Sequence, residues 1–340
     1  MEPQSPEQNI KDVESVKTNR EHMPVIQQLS IALGILVLVF GTTYMGNKTE
    51  PKQTGTLQNV AETTQIITPT NIETPSATDS FETVTLQARS AYVWDVKEQR
   101  VLYSKNPDET LPLASVAKLM TALVAYELLG NNSTVRIGAN AIAQEGDSGF
   151  GVGESFRSRN LLDLTLINSS NDGAFALAAA AGGSATNEEE NAAAFVTAMN
   201  LRAEDLGLTT TSFKNPTGLD IAGSTAGAVG SARDMAFLME YLVTHYPETL
   251  ELTRKSDTRI ANEVGNLHDA ENTNHLAANI PSLLGSKTGY TDLAGGNLVI
   301  AFDVGLNHPI VIAVLGSSQE GRFTDVNALV KATRAEMQQQ

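Results

Sequence analysis

Three short motifs with nucleophilic, basic and anion-binding side chains occur in order in the C-terminal two-thirds of the chain. They are Ser115-Val-Ala-Lys118, Ser169-Ser-Asn171 and Lys287-Thr-Gly289. Together they provide a hydroxyl nucleophile, partners for proton transfer, and a cation on a strand that can bind an anion. Acyl transfer by a serine enzyme requires these components. The combination and its order therefore predict acyl transfer, which no single motif would do.

The first motif places a hydroxyl and an amine on one side of a predicted helix. Ser115 stands where the helix should begin, and Lys118 follows one turn later. Residues i and i+3 share a helix face, so the two side chains should meet. A serine needs a base to accept its proton, and Lys118 can do so only with a neutral amine. Burial among apolar neighbours and a nearby cation would lower its pKa accordingly. An isolated Ser-x-x-Lys is more commonly a helix cap followed by a solvated lysine.

The second motif has a competitor in the same sequence. Ser158-Arg-Asn160 directly precedes an apolar helical run, so we interpret it as a helix cap. Ser169 and Asn171 instead lie at a joint between two predicted helices, where side chains can project into a cleft. There the hydroxyl could relay a proton, and the amide could hold both a lysine and a substrate carbonyl. The alternative interpretation is an ordinary polar turn.

The third motif lies in a predicted strand. Lys287 and Thr288 are predicted to bind a carboxylate, and Gly289 would let a substrate backbone approach closely. The backbone N–H of Tyr290 could pair with that of Ser115 as an oxyanion hole. The alternative is a charged strand edge that turns at a glycine.

The elements that must position these motifs change in kind along the chain. Strands at both ends of the domain, with helices between them, predict one antiparallel sheet whose ends meet. The fold class is therefore a single α+β or mixed α/β domain with helices flanking the sheet. The predicted strands are Ser90–Asp95, Arg100–Tyr103, Leu283–Tyr290, Leu298–Val304 and Ile310–Leu315. The predicted helices are Val116–Leu129, Leu161–Asn168, Ala174–Ala181, Asn191–Leu206, one capped by Ser231, and one from about Asp325 to Met337.

The N-terminal part of the chain has a different character. Residues 25–45 are uncharged and mostly apolar, long enough for a membrane-spanning helix. A cleaved signal peptide is the alternative, but a polar segment precedes the stretch and no Ala-x-Ala site follows it. We predict a disordered cytoplasmic tail at 1–24, a transmembrane signal anchor at 25–45, a flexible tether at 46–82 and a catalytic domain at 83–340.

Composition excludes several classes of function. The 39 acidic and 23 basic residues give a net charge of −16, which argues against nucleic acid as a partner. There are no cysteines, so disulfides and thiolate metal sites are excluded. The five histidines show no metal-ligand spacing, and the sequence contains neither a Gly-x-Ser-x-Gly elbow nor a phosphate-binding loop. We expect neither a metal nor another cofactor.

The chain from about Val84 to Val330 resembles the serine-type D-alanyl-D-alanine carboxypeptidases, the low-molecular-weight penicillin-binding proteins. The similarity extends beyond the three motifs to their flanks and to two further segments. The segments that carry it are Leu113–Ala122, Asn171–Ala178, Phe213–Asp220, Ser231–Ala236 and Lys287–Asp292.

The resemblance implies a β-lactamase/transpeptidase-like fold and action on peptidoglycan stem peptides. Ser115 would attack the D-Ala–D-Ala bond with Lys118 as general base, and water would release the shortened stem. Ser169 and Asn171 would assist proton transfer and positioning, while Lys287 and Thr288 would hold the terminal carboxylate. β-Lactams, which mimic the dipeptide, should acylate Ser115.

The resemblance also implies a location. Peptidoglycan lies outside the cytoplasmic membrane, so the N-terminus should be cytoplasmic and the chain from residue 46 onward extracytoplasmic. Many relatives carry a second, β-rich domain and a C-terminal amphipathic anchor. Here we expect the single N-terminal span to provide the anchoring.

Four activities remain open at this point. The first is carboxypeptidase action, and the second is endopeptidase or transpeptidase action on cross-links with the same catalytic residues. A class A β-lactamase would normally have Ser-Asp-Asn and a later Glu-x-x-Leu-Asn, neither of which occurs here. The intact motifs argue against the fourth, an inactive penicillin-binding sensor.

Overall fold

The structure, a computed structural model, describes residues 80–183, 187–221 and 223–339. The predicted tail and anchor, and all but the last three residues of the predicted tether, lie outside the described residues. Within the described ranges, no helix combines the length and apolarity that a membrane crossing requires. The anchor and its orientation therefore stay predictions.

Strands account for the beginning and the end of the described domain, as predicted. A hairpin opens it and three long strands precede the last helix. The strands of the described residues are β1 Ser90–Asp95, β2 Arg100–Lys105, β3 Leu111–Pro112, β4 Thr134–Arg136, β5 Ser155–Arg157, β6 Ser212–Phe213, β7 Ala228–Gly230, β8 Asp257–Ala261, β9 Leu267–Glu271, β10 Leu283–Thr291, β11 Gly295–Asp303 and β12 Pro309–Ser317.

Helices fill the middle of the chain and close the domain. Two 3₁₀ segments, Ala114–Ala117 and Pro247–Arg254, accompany them. The α-helices of the described residues are α1 Lys118–Leu129, α2 Ala139–Ile142, α3 Ser158–Ile167, α4 Asn171–Ala181, α5 Glu188–Asp205, α6 Ala232–His245 and α7 Gly321–Gln338.

The central sheet has five strands in the order β10-β11-β12-β1-β2. All neighbouring strands within the sheet are antiparallel. Strand β1 pairs with β12 from Ser90 opposite Leu315 to Asp95 opposite Ile310. The two ends of the domain therefore meet in one sheet, as the sequence predicted. β10 lies at one edge, which leaves its outer side available to the helical part of the molecule.

Both faces of the sheet are buried along β1, β11 and β12, which explains the nearly continuous apolar sequences of β11 and β12. Along β11, Val299 and Ala301 pack into the core shared with the helices. Their neighbours Leu298 and Ile300 face the opposite core, where α7 contributes Val326. Since successive side chains of a strand alternate in direction, a strand covered on both faces must be apolar throughout.

The packed region begins before residue 83, where the predicted catalytic domain starts. Phe81 is buried in the α7-side core, and its ring stacks on Tyr103 with centroids 5.5 Å apart. An apolar aromatic side chain within the predicted tether therefore belongs to the folded domain.

The helix that carries Lys118 is enclosed on all sides over its first two turns. Every residue of α1 from Lys118 to Ala125 is buried, and the helix ends at Gly130, whose φ of 62° suits glycine. The start differs from the predicted Val116. A 3₁₀ turn over Ala114–Ala117 precedes the α-helix, so Ser115 does not cap it.

Four other helices, α3, α4, α5 and α7, begin three or four residues earlier than predicted, because polar side chains form part of their first turns. The interpretation of Ser158 as a cap is wrong: it is the first residue of α3, and its hydroxyl donates to the Gly130 carbonyl at 2.6 Å. Ser231 caps α6 as predicted, accepting a hydrogen bond from the Asp234 N–H at 3.2 Å.

Candidate active site

The 3₁₀ turn aligns the first motif. In a 3₁₀ helix residues i and i+3 eclipse one another, and the Lys118 Nζ lies 2.7 Å from the Ser115 Oγ. Ala114, directly before the serine, has a φ of +48°, which is uncommon for a residue with a side chain. From β11, Asn297 Nδ2 donates to the Leu113 carbonyl at 2.9 Å and so ties the entrance of the turn to the sheet. Ser115 is therefore held between the Lys118 amine on one side and the Leu113 carbonyl, bonded to β11, on the other.

Lys118 is fully buried, and burial lowers the pKa of its amine from the usual 10.5 to about 7. Three oxygens surround its Nζ: the Ser115 Oγ, the Asn171 Oδ1 at 2.7 Å and the Thr217 carbonyl at 2.9 Å. At neutral pH a large fraction of the amine is unprotonated and able to accept the serine proton.

The middle motif lies between two lysines. Ser169 has a φ of +63°, and its Oγ accepts a hydrogen bond from the Lys287 Nζ at 2.9 Å. Asn171, the first residue of α4, accepts from Lys118 and donates through its Nδ2 to the Glu145 carbonyl at 2.6 Å. The structure therefore brings Ser169 and Asn171 into the site. The competitor Ser158 bonds to Gly130 instead, so only the second of the two triplets lies at the lysines.

The third motif contributes a second buried amine. Lys287 is 1% exposed, and burial first, then the charges of Lys118 and Arg322, lower its pKa well below the usual value. Its Nζ also donates to the Thr288 carbonyl at 2.8 Å. The Thr288 hydroxyl shares a hydrogen bond with the Thr273 hydroxyl at 2.5 Å. An anion that reached this end of β10 would stabilise the protonated form of Lys287.

Gly289 is required for a reason that the sequence did not suggest. A Cβ at this position would lie 2.8 Å from the Leu113 carbonyl oxygen and 3.1 Å from the Ser115 nitrogen. We predicted a close approach of substrate, whereas the close approach seen is that of the chain's own serine turn. Next to it, Tyr290 is 44% exposed and lines a cavity of about 500 Å³ together with Asp220.

Arg322 is a residue of the site that the sequence analysis missed. It lies at the start of α7, it is 8% exposed, and its Nη1 donates to the Gly289 carbonyl at 2.8 Å. Its guanidinium stacks over the Phe323 ring at 4.7 Å. No motif marks this arginine in the sequence, because only the packing of α7 on β12 and β11 brings its side chain to β10.

The site concentrates basic side chains within an acidic chain. Lys118, Lys287 and Arg322 are buried or nearly buried around the end of β10, whereas the whole chain has a net charge of −16. Burial lowers the pKa of all three side chains, so an anionic group bound next to the serine would stabilise their charged forms. Among the described residues, no cluster of three or more His, Asp or Glu side chains is placed to hold a metal ion.

Comparisons with known proteins identify the family that the chain resembles in sequence. A profile of the family described as D-alanyl-D-alanine carboxypeptidase matches residues 74–319. The D-alanyl-D-alanine carboxypeptidase DacF of Bacillus subtilis is 32% identical over 250 residues, which make up 72% of this chain and 61% of that protein. The D-alanyl-D-alanine endopeptidase of Pseudomonas aeruginosa is 32% identical over 244 residues, 70% of this chain and 74% of that protein.

A solved structure has the same fold. Penicillin-binding protein D2 from Listeria monocytogenes, determined in its ampicillin-bound form, superposes with a TM-score of 0.60 and 29% sequence identity. The match covers 73% of this chain and 98% of that chain. The predicted mixed α/β fold of the transpeptidase type is thereby confirmed for the described domain.

Proposed function

Since the chain belongs to the D-alanyl-D-alanine carboxypeptidase family, we propose that it removes the terminal D-Ala from peptidoglycan stem peptides through an acyl-enzyme on Ser115. The observation that carries this proposal is the buried Lys118 amine, 2.7 Å from the Ser115 hydroxyl and with a pKa lowered to about 7. A serine and an adjacent neutral base form an activated nucleophile.

Acylation begins with proton transfer from the Ser115 hydroxyl to the Lys118 Nζ. The Oγ attacks the carbonyl carbon of the penultimate D-Ala, and the C–N bond to the terminal D-Ala breaks. The departing amine takes up the proton that Lys118 accepted, and Ser169 assists this transfer. Asn171 holds Lys118 in place. Water then hydrolyses the ester and releases the shortened stem. β-Lactams acylate the same oxygen because their ring amide occupies the place of the peptide bond.

Backbone and cationic groups stabilise the charges of this reaction. We assign the oxyanion hole to the N–H groups of Ser115 and Tyr290, since the close packing at Gly289 brings β10 against the serine turn. The terminal carboxylate of the substrate binds to Lys287 and Thr288, and Arg322 adds positive charge behind them. The carboxylate in turn favours the protonated form of Lys287.

The proposed location follows from the substrate. Residues 25–45 anchor the chain in the cell membrane as a single span, with the N-terminus cytoplasmic and the catalytic domain outside. The polar segment after the span allows the domain to reach the wall.

An endopeptidase that cuts D,D-cross-links is the second candidate. It is favoured by the Pseudomonas relative, which carries that name and is as similar in sequence as the Bacillus carboxypeptidase. Both reactions use the same serine and the same lysine, so the site itself serves either.

Product analysis distinguishes these two activities. The protein is incubated with a stem pentapeptide and with a cross-linked muropeptide, and the products are identified by mass. Loss of one D-Ala from the pentapeptide supports the carboxypeptidase, whereas cleavage of the cross-link alone supports the endopeptidase.

Two alanine variants test the residues. Ser115→Ala should abolish labelling by a fluorescent penicillin, and persistent labelling would refute the assigned nucleophile. Ser169→Ala should slow both labelling and turnover, whereas the matched control Ser158→Ala should leave both unchanged. The reverse pattern would show that Ser169-Ser-Asn171 is the wrong triplet for the middle motif.

A further inference from the structure

We propose that Asn215 is a positioning residue, which holds the Thr217 carbonyl so that the lone pair of the Lys118 amine points at the Ser115 hydroxyl. This inference rests on the proposed function, because it takes Ser115 as the nucleophile and Lys118 as its base. It gives a role to the segment Phe213–Asp220, which resembles the family in sequence but contains none of the three catalytic motifs.

The argument begins with the donors of the base. A neutral amine has two N–H groups and one lone pair, and Lys118 has three oxygen neighbours. The Thr217 carbonyl can only accept. The amide of Asn171 is oriented by its other end, since its Nδ2 donates to the Glu145 carbonyl, so an oxygen faces Lys118.

Both N–H groups of the amine are therefore committed to carbonyl oxygens. The lone pair is left for the third neighbour, and the Ser115 O–H must be the donor of the 2.7 Å contact. This is the direction that proton abstraction requires. Without the Thr217 carbonyl, the amine could rotate and donate to the serine instead, which would leave the hydroxyl without a base.

Asn215 fixes that carbonyl through the loop that contains it. Its Oδ1 accepts from the Gly218 N–H at 2.7 Å, the Thr217 N–H at 3.2 Å and the Thr217 hydroxyl at 3.1 Å. Its Nδ2 donates to the Leu219 carbonyl at 2.9 Å. One side chain thus makes four hydrogen bonds to the residues around the carbonyl, and Thr217 is only 1% exposed.

The same loop is packed directly on the nucleophile's turn. Gly218 has a φ of +78°, and a Cβ there would lie 1.9 Å from the Ala114 carbonyl oxygen. The loop consequently contacts the residue before Ser115 while its Thr217 carbonyl contacts Lys118. Asn215 is placed to set the relative position of the base and the nucleophile, although the structure gives it no contact with either.

The pH dependence of acylation separates this role from simple loop stability. For the full-length chain, the rate constant of labelling by a fluorescent penicillin is measured at saturating penicillin between pH 5.5 and 9.5. In Asn215→Ala we expect the plateau of the labelling rate constant to be about tenfold lower than in the wild type. This is the factor expected for loss of one neutral hydrogen bond. The midpoint of the profile should also move to higher pH, because a loosened loop admits water to Lys118.

Asn262 provides a matched control. It is buried, its Oδ1 accepts from the Val264 and Asn266 N–H groups, and its Nδ2 donates to Glu154, so it holds the β8–β9 turn much as Asn215 holds its loop. Asn262→Ala should lower the thermal midpoint but keep the wild-type plateau and pH midpoint. Thr217→Val removes two of the loop's hydrogen bonds and should show the Asn215→Ala changes in weaker form, which covers the case that Asn215→Ala does not fold.

The outcomes are distinct. Lower plateaus and raised midpoints in the loop variants alone support the proposal. A wild-type profile in a folded Asn215→Ala or, failing that, in Thr217→Val overturns it, as do equal changes in Asn262→Ala. If penicillin does not label the wild-type protein, the proposal is also overturned, since Ser115 is then not the nucleophile that Lys118 activates. A wild type that is labelled but releases no D-Ala from the pentapeptide refutes only the proposed substrate, and the Asn215 comparison still applies.

Discussion

The burial of Lys118 predicts a specific pH dependence of acylation. With a pKa of about 7, about 9% of the amine is neutral at pH 6 and about 91% at pH 8. The acylation rate at saturating penicillin should therefore rise about tenfold between these values and level off above pH 8. A lysine with its ordinary pKa of 10.5 would give about a hundredfold rise over the same range and no plateau below pH 10.

The assay follows labelling of Ser115 by a fluorescent penicillin at saturating concentration, so that changes in binding through Lys287 do not enter the rate. Lys118→Arg is the control variant, because a guanidinium remains charged throughout this range. Its rate should be lower by about 10²- to 10⁴-fold, the usual contribution of a general base. The argument is refuted if the wild-type rate keeps rising tenfold per pH unit through pH 9, or if Lys118→Arg retains the wild-type midpoint.

Three further predictions concern stability and binding. Lys118→Met should stabilise the fold at pH 6, since the unfolded chain keeps a protonated lysine up to about pH 10.5 and the folded chain only to about pH 7. That difference costs about 5 kcal/mol below pH 7 and vanishes towards pH 10.5, and the two carbonyl oxygens left without a donor offset part of the gain. Gly289→Ala should destabilise the fold by about 1–3 kcal/mol and slow acylation, because the added Cβ meets backbone atoms of the serine turn. Arg322→Gln should raise the KM for a peptide ending in a free carboxylate by about tenfold, because a cation beside Lys287 is lost.

Each of these has its own measurement and control. Thermal melts at pH 6 and pH 10 should show the Lys118→Met effect changing sign, and a constant difference would contradict the ionisation argument. Gly151→Ala is the control for Gly289→Ala, since a Cβ there comes no closer than 4.0 Å to another atom. Arg334→Gln, on the same helix but bonded to Pro281, is the control for Arg322→Gln. An equal loss with a C-terminal amide substrate would remove the carboxylate from that explanation.

The sheet was predictable because its signals are local. β11 and β12 are apolar runs bounded by turn residues, and the β1–β2 hairpin has its turn where the sequence indicated. The predicted helix starts were less accurate, since the sequence does not show which polar residues join a first turn. The Ser158 hydroxyl, for example, bonds to the Gly130 carbonyl rather than capping its own helix, and Gly130 is far away in the chain.

The site was predictable in its parts and only partly in its assembly. The spacing of Ser115 and Lys118 was sufficient to bring them together, because a single helical turn joins them. The pairing of Lys287 with Ser169 spans 118 residues, and nothing local encodes it. Arg322, Asn297 and the Thr217 carbonyl were missed for the same reason: each acts through the backbone or from an element that tertiary packing alone brings near.

The sequence by itself determined the chemistry of this protein: a serine one helical turn from a lysine, a polar triplet and a lysine-bearing strand, in that order. These are properties of residue types and short spacings, which the chain carries before it folds. Tertiary structure decided which lysines Ser169 and Asn171 contact, why Gly289 has no side chain, and how far the pKa of Lys118 falls. Those outcomes depend on burial and on backbone contacts between distant segments, and only the folded chain excludes water from the amine and directs its lone pair at Ser115.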